Sequence, residues 1–80
     1  MIITIYYSKI TGEIHSLVAA ENKYTYERFA EFEQEMSQIL DIMYIAYNEQ
    51  FFKNYHDYKV NLDTLEIEPK YKPTITKIDE

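Results

Sequence analysis

The chain reads as a small α+β domain, and three features of its sequence predict this. A β-branched and aromatic run, Ile2 to Ser8, is followed by the single glycine of the chain, Gly12, and by a second such run from Ile14 to Ala19. Apolar residues at helical spacing then fill 25–52. Two short strand-like runs, Tyr58 to Leu62 and Leu65 to Glu68, close the pattern before Pro69 and Pro73. The architecture expected is an N-terminal β-hairpin, one long helix packed on a small antiparallel sheet, one or two C-terminal strands and an extended C-terminal arm. Residues 1–68 form one domain in this reading, and 69–80 form the arm.

Each element has its own local signal. Alternation along the first strand puts Ile3, Ile5 and Tyr7 on one face and Ile2, Thr4 and Tyr6 on the other, so both faces read as partly covered. Gly12 lies in the short loop from Lys9 to Glu13, where a hairpin calls for a positive φ. Ala20 to Tyr24 is a polar connection, and Thr25 reads as an N-cap with Glu27 beside the positive helix end. A helix from there to about Phe52 turns Phe29, Phe32, Met36, Ile39, Leu40, Met43, Tyr44, Tyr47 and Phe51 toward the sheet. Ile42, Ile45 and Phe52 fall on its opposite side, flanked by Glu31, Gln38 and Glu49, and form a second apolar stripe. Asn54 to Asp57 reads as a turn, and Asp63-Thr64 as a tight turn between the last two strands. The prolines exclude 69–80 from a central strand or a helix interior.

Composition narrows the functional classes. An 80-residue domain buries only about 60% of the surface its unfolded chain exposes, so binding to a partner would add to a thin margin. Hydrophobic content of 46% with nine tyrosines and four phenylalanines argues for a folded chain. The absence of cysteine removes disulfides, thiolate nucleophiles and cysteine-based zinc sites, and fits a cytosolic protein. No apolar run is long enough to span a bilayer as a helix, and the N-terminus lacks the pattern of a secretory signal, so no membrane association is expected. The net charge of -6 is concentrated between 25 and 52, where Arg28 faces six acidic residues. Direct nucleic-acid binding is therefore disfavoured, and a basic partner is favoured instead.

No catalytic or metal-binding signature emerges, and no cofactor is implied. His15 and His56 have no second ligand at metal spacing, and His56-Asp57 is a weak base pattern. Ser8, Ser16 and Ser37 lack the setting of a nucleophile elbow. The second stripe is the candidate partner surface: Ile42, Ile45, Glu49 and Phe52, joined by Tyr71 and Ile75 of the arm, would dock on a protein partner or a second copy. Tyrosines suit a half-wet contact, with Tyr6, Tyr7, Tyr24, Tyr26, Tyr58 and Tyr71 as contact candidates and Tyr44, Tyr47 and Tyr55 as core. Glu27, Glu31 and Glu35 recur at i, i+4 and i+8, an acidic edge able to imitate a row of phosphates.

The run Tyr6-Tyr7-Ser8-Lys9-Ile10-Thr11-Gly12-Glu13-Ile14, the acidic aromatic helix, and the closing run from Tyr58 to Glu66 resemble short accessory proteins of phages of low-GC Gram-positive bacteria. The resemblance implies a non-enzymatic virion- or tail-associated component, or an acidic inhibitor of a host nucleic-acid-binding defence protein. It also implies a location in the bacterial host cytoplasm or the virion.

Overall fold

The computed structural model describes residues 1–70. In chain order these form β1 (Ile2–Ser8), β2 (Ile14–Ala20), a 3-10 helix (Glu27–Phe32) running into α1 (Glu33–Ile39), β3 (Leu40–Ala46), α2 (Glu49–Lys53), a 3-10 turn (Tyr55–Asp57), β4 (Tyr58–Asn61) and β5 (Glu66–Pro69). The class is the mixed α+β one read from the sequence, with its N-terminal hairpin and its C-terminal strand pair. β1 is the middle strand of an antiparallel sheet ordered β2-β1-β3, and β4 pairs with β5 in a second sheet.

β1 is covered on both sides. Ile3, Ile5 and Tyr7 meet Phe51 of α2 and Val60 of β4, with Leu17, Met43, Ile45, Phe52 and Tyr58 packed around them. At about 1.5–3 kcal/mol for each large apolar side chain withdrawn from water, this cluster is the main stabilising unit. Thr4 and Tyr6 point the other way and are wholly buried as well. Their cover is the segment from Tyr24 to Phe29. The Tyr24 N–H donates to Thr4 Oγ1 at 3.2 Å, the Tyr6 hydroxyl donates to the Thr25 carbonyl, and the Phe29 ring meets Tyr6 edge-on at 5.0 Å.

The helix expected to reach Phe52 ends at Ile39, and 40–46 is a strand. Leu40 turns the backbone to extended geometry, φ -115° and ψ 143°. The last helical carbonyls are taken by a neighbour in space: Lys9 donates from Nζ to the Ser37 carbonyl at 2.8 Å and from its backbone N–H to that of Ile39 at 3.1 Å. No residue of α1 is buried, so the segment beyond it gains more by pairing with β1 than by lengthening the helix. The expected N-cap is also reversed. Glu27 reaches back so that its carboxylate accepts the Thr25 N–H at 2.7 Å and the Thr25 hydroxyl, and this hydroxyl is the main reason its carboxyl is held below the ordinary range.

Gly12 has φ +79°, as its loop requires, and it is also where the two sheets meet. Its N–H donates to the Ser8 carbonyl at 3.0 Å, its own carbonyl accepts the Val60 N–H at 2.8 Å, and Glu13 bridges to Lys59. A β-carbon at Gly12 would stand 2.0 Å from the Val60 oxygen. The turn between β4 and β5 is held by Asn61, whose side-chain oxygen accepts the N–H groups of Asp63 and Thr64. It leaves Leu65 at φ 58°, a left-handed conformation that leucine rarely adopts. Pro69, assigned to the arm from sequence, pairs with Tyr58, and the Lys70 N–H donates to the Asp57 carbonyl at 2.8 Å. The remainder of the expected arm lies outside the described residues.

Gly12→Val combines backbone strain with a clash against β4, and should lower the stability by at least about 2 kcal/mol in urea unfolding. Leu65→Asn, which accepts the same conformation at less strain, should raise it by about 0.5–1 kcal/mol. Equal stabilities of both variants and the wild type would contradict the two turn geometries.

Candidate functional site

The stripe of Ile42, Ile45 and Phe52 does not form. In a strand, neighbours alternate between faces, and the register sets Ile45 opposite Ile3 and Ile42 opposite Tyr6. Ile45 and Phe52 thus pack on the apolar cluster of this same chain, while Ile42 lies on the other side of the sheet. Glu49 opens α2 and pairs with Lys53 at 3.0 Å on the surface. Tyr71 and Ile75 lie outside the described residues. The tyrosine assignments also change places: Tyr6 and Tyr7 are buried, whereas Tyr44 and Tyr47 are 36% and 40% exposed.

The acidic edge is reshaped by its helix type. A 3-10 helix turns every three residues, so Glu27 and Glu31 of that helix and Glu35 of α1 do not fall in one straight row. Glu31 and Glu33 instead line a shallow depression with Tyr26, Gln34 and Ser37.

Among the described residues the sheet has two end strands, β2 and β3, and the outer edge of β3 is the candidate site. The bonds from the Tyr47 N–H to the Met1 carbonyl and from the Lys9 N–H to the Ile39 carbonyl fix the alternation. Odd-numbered residues of β3 bond β1, and the backbone groups of Leu40, Ile42, Tyr44 and Ala46 point outward. The first part of this edge is occupied. Leu40 donates its N–H to the Met36 carbonyl and accepts the Tyr26 hydroxyl at 2.8 Å, and the Ile42 N–H donates to Asp41 Oδ1 at 2.9 Å. The rest, from the Ile42 carbonyl through Tyr44 to Ala46, has no strand beside it among the described residues.

Apolar hollows flank this edge on both faces. One of about 260 Å³ lies among Ile45, Asn48, Gln50, Phe51, Tyr58 and Ile67; the other, about 350 Å³, lies among Met1, Ile2, Lys23, Tyr44, Ile45 and Ala46. Tyr44 is fixed there by a 2.6 Å bond from its hydroxyl to the Tyr24 carbonyl and by the Lys23 ammonium 5.1 Å above its ring. At the start of β3, the last residue of α1, Ile39, is 52% exposed, and Phe32 at the end of the 3-10 helix is 61% exposed.

Histidine chemistry is not assembled. The ring of His15 stands 3.1 Å from Ser16 Oγ and packs edge-on to Phe29, and His56 lies against Tyr55 at 4.0 Å. Among the described residues no group of three or more histidines or acids could hold a metal ion. No described helix is long and apolar enough to cross a membrane. Comparison with protein-family models, with curated proteins and with solved structures gives no match.

Tyr44 and Ala46 were not singled out as contacts by the sequence. Their signal was an absence, the lack of any charge or proline between Ile42 and Asn48.

At the closed end of the edge, the Tyr7 hydroxyl lies 3.4 Å from Asp41 Oδ2. Burial first, and Asp41 second, push the hydroxyls of Tyr7 and Tyr26 above their ordinary value of 10.0. A raised value means that the unfolded chain ionises first. Stability contributed by these groups is complete below pH 10 and should be lost as the pH rises from there through their folded-state values. Urea unfolding of the wild type against Tyr7→Phe across that range should show a shallower decline in the variant.

Proposed function

We propose that this chain is a non-enzymatic protein-binding module that docks through the β3 edge, of the kind found among small virion- or tail-associated and assembly components of phages. The observation that carries the proposal is the edge itself. Native edge strands are guarded by lysines, prolines or inward charges, and Ile42 to Asn48 has none of these. β5 is guarded by Glu66, Glu68 and Pro69. An extended segment laid beside β3 would bond the outward backbone groups and set alternate side chains into the two flanking hollows.

An acidic inhibitor of a host nucleic-acid-binding defence protein is the second reading. Its support is the charge excess of Glu27, Glu31, Glu33 and Glu35 over Arg28 along 27–39. Salt separates the two, because backbone pairing and apolar contact persist when charges are screened.

The test places a photo-reactive aromatic amino acid at Tyr44, Glu31 or Leu65 of the full chain in host cells. A protein adduct at Tyr44 that survives about 0.5 M salt and is lost with Ala46→Pro supports edge docking. Adducts confined to Glu31 and abolished by salt would transfer support to the inhibitor reading. The absence of any protein adduct at Tyr44 overturns the first proposal.

A further inference from the structure

We propose that the occupant of the β3 edge is β3 of a second copy of this chain, paired antiparallel about a two-fold axis at Tyr44; the inference rests on the edge-docking reading above. Tyr44 is the midpoint of the outward residues Ile42, Tyr44 and Ala46, so an axis there makes the edge its own complement. The Tyr44 N–H of each copy meets the Tyr44 carbonyl of the other, and the Ala46 N–H of each meets the Ile42 carbonyl of the other. Among the described residues no strand lies beside these groups, and the Ile42 N–H keeps its bond to Asp41. On the face of the apolar cluster, Met43 of one copy comes opposite Ile45 of the other, which extends that cluster across the axis.

Charge permits a second copy at this edge, and the ends of β3 limit the register. A chain of net charge -6 repels its own copy over most of its surface, and β3 beyond Asp41 is free of charge. An axis at Tyr44 sets Asp41 against Tyr47 of the other copy. Moving the axis one residue on, to Ile45, would set Ile42 against Asn48, which lies beyond the end of β3, caps α2 and already gives its carbonyl to the Phe52 N–H. Moving it back to Met43 or Ile42 would require Leu40, whose backbone groups already serve Met36 and Tyr26. The product is one continuous sheet, β2-β1-β3 joined to β3-β1-β2 of the second copy. A strand-to-strand contact of this kind is small, so the dimer is a reversible one.

The absence of cysteine allows the register to be read directly. Facing residues of a hydrogen-bonded antiparallel pair have α-carbons about 5.5 Å apart, within disulfide reach. Under mild oxidation Tyr44→Cys should cross-link to itself, and Ile42→Cys should cross-link to Ala46→Cys when the two are mixed. Leu65→Cys serves as the control. In sedimentation velocity the wild type should dimerise, and Ala46→Pro, which removes an outward N–H and fixes φ there, should weaken the dimer at least about tenfold. A wild type that is monomeric at about 1 mM overturns the proposal, even if Tyr44 captures a different protein in cells, an outcome that leaves edge docking intact. A dimer that cross-links at Leu65→Cys as readily as at Tyr44→Cys also overturns it. Should Ala46→Pro fail to fold, the cross-linking pattern alone decides.

Discussion

The structure is governed by the need to bury β1 on both of its faces. Ile3, Ile5 and Tyr7 require one cover and Thr4 and Tyr6 another, and a chain of 80 residues has to supply both. It does so with two unlike layers. One consists of α2 and the β4-β5 pair, whose side chains enter a dry apolar cluster. The other is largely irregular, and is held to the sheet by hydroxyl groups as much as by packing. Among the described residues little is left to shield the margins: α1 keeps no buried residue, and β3 has no strand beside it from the Ile42 carbonyl to Ala46.

Local signals made half of this legible from the residues alone. The alternation of Ile2 to Ser8, the positive φ at Gly12 and the turn at Asp63-Thr64 are decided by the nearest few residues, and the sequence names them correctly. The segment Ile39 to Tyr47 is different. Its apolar side chains on several sides fit a helix shielded all round and also a strand between two covering layers, and periodicity does not separate these over so short a run. What ends the helix is Lys9, thirty residues earlier, together with the pairing offered by β1. No glycine or proline marks the boundary in the sequence. The richness in isoleucine and tyrosine was the cue that favoured the strand.

The candidate site shifted for the same reason. Ile42 and Ile45 belong together on a helix and apart on a strand, so the surface inferred from them dissolved once the backbone was extended. The segment itself stayed at the centre of the functional reading, with its backbone rather than a stripe of side chains as the recognition element. Edge status is a property of topology: nothing within Leu40 to Ala46 states that β1 lies on one side of it and no other described strand on the other.

The unequal fastening of the two layers also bears on how the molecule comes apart. Tyr6 and Tyr44 hold the crossing segment by hydroxyl bonds to the carbonyls of Thr25 and Tyr24, with the Thr4 hydroxyl and the Phe29 ring adding to them, whereas the opposite layer is stitched on by the backbone at Gly12 and Val60. Detaching the second would dismantle the apolar cluster. The two sides are thus fastened by different means, and an opening confined to the crossing segment would bare Thr4 and Tyr6 while leaving the backbone bonds of the glycine junction in place.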